Sequence, residues 1–108
     1  MSNSSIEVIK LDGELDVARR EEIRRTLSLP AADRPVLLDF SQVTYADSTA
    51  VAELLRFHSE AGAKGRTVAV VIGNRQFARL LQYAGLRDAF AVFDDRAAAL
   101  TYLGARGS

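Results

Sequence analysis

Two apolar runs, VLLDF (Val36–Phe40) and TVAVVIG (Thr67–Gly73), stand on either side of a segment with a helical period. In residues 48–63, Val51, Leu54, Leu55 and His58 recur at i, i+3, i+4 and i+7, and Ala50, Phe57 and Ala61 widen the same face. A strand, a helix and a second strand in that order form a crossover unit whose strands lie parallel. VLLDF reads as a buried strand and TVAVVIG as a second one, rich in β-branched residues as a central parallel strand should be. This one unit excludes an all-helical and an all-β architecture.

The rest of the chain continues the alternation. Ile6, Val8, Ile9 and Leu11 form a strand-like run expected to end at Asp12-Gly13. Asp16 then opens a helix carrying Val17, Ile23 and Leu27, with Glu21 and Glu22 early, where the positive end of the helix dipole favours them. LPAADRP (Leu29–Pro35) is a loop punctuated by two prolines. Asn74 is placed to cap a helix through Phe77, Leu80, Leu81 and Ala84, closed by Gly85. FAVF (Phe90–Phe93) is a short strand, and Asp94-Asp95 open a last helix through Ala98, Leu100 and Leu103. The expected fold is α/β: one domain over residues 6–103, a mixed, mainly parallel β-sheet with about four α-helices packed on it. Residues 1–5 and 104–108 are expected to be flexible termini.

Composition narrows the function. The chain has 108 residues, 48% of them apolar, and 14 basic residues balance 14 acidic ones. No segment is basic enough to track phosphates, so direct nucleic-acid binding is not expected. Without cysteine there is no disulfide or thiolate metal site, and the one histidine, His58, cannot build a histidine cluster. No apolar run approaches the roughly 20 residues of a membrane span, and the first residues lack the pattern of a signal peptide. A cytoplasmic protein without cofactor or metal is expected.

The residues most suggestive of function are Asp47-Ser48-Thr49, between the first buried strand and the central helix. Asp47 is a preferred N-cap, which puts Ser48 and Thr49 at the first two helical positions beside unpaired amides. At about 100° per residue, Thr49 falls roughly 160° from the centre of the apolar arc and Ser48 roughly 100°. Thr49 is therefore expected to face solvent, on a stripe continued by Glu53, Arg56 and Glu60, and Ser48 to be the structural hydroxyl. A phosphoryl group there would be stabilised by the helix N-terminus and would change the exposed surface by about −1.5 to −2 charges.

Catalytic readings fare poorly. His58 lies more than two turns along the helix from Ser48 and Thr49, too far for direct proton transfer, and falls in the apolar arc. VVIGNRQF lacks both glycine-rich phosphate-binding signatures. Asp12, Asp16, Asp39 and Asp47 could converge at a sheet edge, but turn and cap roles account for Asp12 and Asp16.

In its order of motifs the chain resembles the STAS family, typified by bacterial anti-sigma factor antagonists. GELD (Gly13–Asp16) resembles the family's turn after an early strand, and LLDFSQVTYADSTAVAELL its strand, loop, Asp-Ser-Ser/Thr and helix. GNRQFARLLQYAGL is similar to its third segment and FDDRAAALTYL to its final helix. The resemblance spans Ile6 to about Leu103. It implies a cofactor-free, non-enzymatic module that binds a serine/threonine kinase doubling as an anti-sigma factor and is released by phosphorylation. Carried onto this chain it makes Thr49 the phosphoacceptor, with Ser48 the alternative. Asp16, Asp47, Ser48, Thr49, Glu53 and Arg56 are then the expected partner surface. Ala50 stands where the family usually has glycine, and the first strand of the family's opening hairpin is expected to be short or absent. A second expectation is a STAS subunit docked on the ATPase of an ABC-type lipid transport complex; a third is a component of a stress-sensing complex. Both work without phospho-control.

Overall fold

The computed structural model describes residues 6–86 and 88–107, with side chains through Gly104. The N-terminal segment 1–5 lies outside the described residues. The strands are β1 (Glu7–Leu15), β2 (Val36–Ala46), β3 (Val68–Ile72) and β4 (Ala91–Phe93). The helices are α1 (Arg20–Thr26), α2 (Ser48–Ala63), α3 (Arg75–Tyr83) and α4 (Arg96–Gly107), with a 3-10 turn at Val17–Arg19 before α1. The strands lie in the order β1-β2-β3-β4 and every pairing is parallel. Among the described residues no strand precedes β1.

The two faces of β2 set the layers. Val36, Leu38 and Phe40 point into the larger core with Leu54 and Phe57 of α2, Ile23 and Leu27 from the α1 region, and Phe77 and Leu81 of α3. The Phe40 and Phe77 rings meet at 5.5 Å between centroids. Leu37 points the other way, into a smaller core with Ala69, Val71 and, from α4, Ala99 and Leu103. Three helices thus cover one face of the sheet and α4 the other. Asp39 shares the α4 face, buried, with its carboxylate accepting from the Ser41 amide at 2.9 Å and lying 3.5 Å from Arg96. Burial alone would push the Asp39 carboxyl up, but the Ser41 hydrogen bond and the positive charge of Arg96 outweigh it and hold it below its ordinary value.

Three boundaries differ from expectation. β1 does not end at Asp12-Gly13 but passes through them to Leu15, with register shifts between Lys10 and Asp12 and between Gly13 and Glu14. Gly13 has φ +73°, so a turn-forming dipeptide serves here as an irregularity inside a strand. The Arg19 guanidinium holds that irregularity, donating to the carbonyls of Asp12 at 2.6 Å and Glu14 at 2.8 Å. The same guanidinium pairs with Glu22 at 2.9 Å. β2 likewise runs on without a loop to Ala46. Val17 is 64% exposed, because Asp16 opens a 3-10 turn whose three-residue period puts it out of phase with Ile23 and Leu27.

Candidate functional site

The C-terminal ends of β1 and β2 are paired, Leu15 opposite Ala46, and the Asp47 amide donates to the Leu15 carbonyl at 3.1 Å. Asp16 and Asp47 therefore leave the sheet side by side. Each turns its carboxylate onto the next element: Asp16 Oδ1 accepts from the Ala18 amide at 3.1 Å, and Asp47 Oδ1 from the Thr49 amide at 2.8 Å. Asn74, just beyond β3, accepts from the Phe77 amide at 2.8 Å. Three side-chain-capped N-termini thus open at one edge of the sheet, as parallel crossover connections dictate.

β2 outruns β3 there. Its pairing with β3 stops at Phe40, six residues before Ala46. Side chains take over from the missing backbone. Gln76 Oε1 accepts from the Ala46 amide at 3.0 Å while its Nε2 donates to the Ala46 carbonyl at 2.6 Å, and Asn74 Nδ2 donates to the Thr44 carbonyl at 3.0 Å. Gln76 thus fixes the residue before the Asp47 cap, a role with no signal in the sequence beyond an amide side chain two places after an Asn cap. Gln76→Ala leaves both polar groups of fully buried Ala46 unpaired, with an expected loss of about 1–3 kcal/mol. The check is denaturant unfolding together with faster exchange of the Ala46 amide.

The two hydroxyls are exchanged relative to expectation. Ser48 is exposed, whereas Thr49 is buried at 6% exposure and Glu53, one turn on, at 3%. The solvent stripe of α2 is Ser48, Ala52, Leu55 and Ser59, displaced by one residue from the expected Thr49, Glu53, Arg56 and Glu60. The cause is α1, which packs along the Glu53 flank of α2 and covers what the apolar arc alone leaves open. Of the expected stripe only Glu60 is exposed; Arg56 is half-buried.

Glu53 is bracketed by cations. Arg24 of α1 donates to both its oxygens, at 3.2 and 2.9 Å, and Arg56 reaches it at 2.9 Å. Arg56 also donates to the Leu27 carbonyl beyond the end of α1 at 2.9 Å. The Arg24 hydrogen bond, with help from Arg56, holds the Glu53 carboxyl below its ordinary value despite burial. Glu53 and Arg56 therefore tie α1 to α2, leaving exposed Ser48, beside half-buried Asp16 and Asp47, as the part of the expected surface not engaged between helices.

The four aspartates considered as a metal site do not gather: Asp39 faces α4, Asp16 and Asp47 cap their helices, and Asp12 meets Arg19 through its carbonyl. Among the described residues no group of three or more His, Asp or Glu side chains is placed to hold a metal ion. His58 is half-buried and packs on Phe90 with ring centroids 4.5 Å apart, the structural role its place in the apolar arc suggests. No helix among the described residues is long and apolar enough to cross a membrane.

Comparison with known proteins gives one family and several solved structures of similar fold. The family model for the STAS domain matches residues 2–99. No curated protein sequence matches the chain. Among solved structures it is similar to an anti-sigma factor antagonist from Mycobacterium paratuberculosis, with TM-score 0.83 and 22% identity, covering 92% of this chain and 86% of that one. A putative anti-sigma factor antagonist from Thermotoga maritima is similar at TM-score 0.77 and 18% identity, over 89% of this chain and 86% of that one. A sulfate transporter family protein from Wolinella succinogenes is similar at TM-score 0.75 and 18% identity, over 92% and 84%. At these identities the likenesses speak for the fold.

Proposed function

The chain belongs to the STAS domain family, and from that premise we propose that it is an anti-sigma factor antagonist, a non-catalytic protein-binding module controlled by phosphorylation at the start of α2. Its partner is an anti-sigma factor with serine/threonine kinase activity. The observation that carries the proposal is the exposed Ser48 hydroxyl at the first position of a 16-residue helix, beside the Asp16 and Asp47 caps. A phosphoryl group there meets the positive end of the helix dipole on the solvent side of α2, so it is held without disturbing the core. Its charge falls on the same stripe as Ala52 and Leu55, the exposed apolar part of the docking face, and repels a partner seated there. Thr49, the residue matched by the family's pattern, becomes reachable only when the first turn of α2 opens.

Incubation with the partner kinase and ATP is expected to add one phosphoryl group. Ser48→Ala abolishes it and Thr49→Ala leaves it, read by intact mass and by peptide mapping. Phosphorylation that persists in Ser48→Ala and vanishes in Thr49→Ala would move the acceptor inward and sink the accessibility argument. The burial of Thr49 also favours a second reading, a STAS subunit that docks on a transport ATPase through the same turn without modification. In that case a partner ATPase co-purifies, and Ser48→Asp leaves the association unchanged.

A further inference from the structure

We propose that the outward face of α3 is a second docking surface, separate from Ser48, for an acidic segment of a partner protein. Arg75, Gln76, Arg79, Leu80 and Tyr83 line a shallow groove of about 450 Å³ on the side of α3 opposite buried Phe77 and Leu81. The groove is floored by apolar surface, and Tyr83 at its end is 83% exposed, the most exposed large apolar side chain among the described residues. The charge on α3 itself is one-signed. α3 carries two arginines and no carboxylate, and among the described residues neither arginine takes part in an ion pair.

That arrangement works against the helix. Arg75 opens the helix at its positive end, where a cation is disfavoured, and it repels Arg79 at i, i+4. Most other arginines among the described residues have carboxylate partners, as with Arg19 and Glu22, Arg24 and Glu53, or Arg96 and Asp39. The two that have none, Arg20 and Arg25, lie on α1 with Glu21 and Glu22. Two free guanidinium groups one turn apart, their Cβ atoms about 5–6 Å from each other, match two carboxylates one turn apart on a partner helix. Guanidinium forks bind carboxylates bidentately, and an apolar side chain between those carboxylates would sit against Leu80 and the Tyr83 ring. A lipid surface is a poorer fit, because two basic residues on a chain of zero net charge give little attraction to anionic headgroups.

The test is a titration of the isotope-labelled full chain with a 14-residue helical peptide carrying two glutamates four residues apart and a leucine between them. A counterpart with lysines and vesicles containing phosphatidylserine are run alongside. The glutamate peptide is expected to shift amides within residues 75–83 and to bind about tenfold more weakly to Arg75→Glu/Arg79→Glu. That variant is expected to accept the lysine peptide instead, and Ser48→Ala to bind as the parent does. No binding of the glutamate peptide at millimolar concentration, shifts confined to the start of α2, or arginine-dependent binding to vesicles in place of peptide would each overturn the proposal. Self-association that Arg75→Glu/Arg79→Glu abolishes would also overturn it, by making a second copy the occupant.

Discussion

Thr49→Glu is expected to lose about 3 kcal/mol of stability while Ser48→Glu, one residue away, loses none. The two substitutions bring the same side chain into the first turn of the same helix, where the dipole favours a carboxylate. Only burial distinguishes them. At Thr49 the new charge enters a site 6% exposed, one turn from Glu53, so it is desolvated and repelled together. At Ser48 it meets water and the positive end of the helix dipole and gains about 0.5 kcal/mol. Thermal unfolding separates the two by more than about 10 °C for a domain of this size. Equal melting temperatures would mean that Thr49 is accessible. Ser48→Glu, folded and charged, then serves as a phosphate mimic whose weakened binding to the partner tests the proposed control.

Glu53→Ala is expected to cost about 2–3 kcal/mol at neutral pH, at the low end for a broken buried pair because Arg24 remains 60% exposed. The loss depends on pH. The folded-state pKa of Glu53 is held down by Arg24 and Arg56, so its contribution is fully present above the unfolded value near pH 4.3. It disappears as pH falls through the lower folded value. Parent and variant should therefore differ most above about pH 5 and converge as pH falls below the unfolded value, in denaturant midpoints measured across that range. A difference constant with pH would mean that Glu53 contributes packing and not charge.

How far the sequence reveals this molecule depends on the range of the interaction concerned. The bounds of α2, its Asp47 cap, the Asn74 cap and the parallel sheet follow from local period and local hydrogen bonding, and all are present. The direction of Thr49 does not follow, because an apolar arc counts only a helix's own residues. Leu55 pulls that arc toward a side that is in fact 44% exposed, and the flank covered by α1 is held by Arg24 and Glu53, which read as surface charges. Asp12-Gly13 reads as a turn because nothing local announces that Arg19 will bind the carbonyls on either side of the bend. The part of Gln76 is equally hidden, since it exists only where β3 stops six residues short of the end of β2.

That stopping point also bears on how readily the sheet could pair with a second copy of the chain. A strand end with unpaired amides and carbonyls is a template for any passing extended chain, and the start of an ordered aggregate. Here the overhang of β2 is occupied by Asn74 and Gln76, the outer margin of β1 is plugged by Arg19 across a kink, and β4 on the far side is only three residues long. Among the described residues each of these places is therefore short, bent or occupied, which disfavours backbone pairing with a second copy there while the start of α2 stays open to partners.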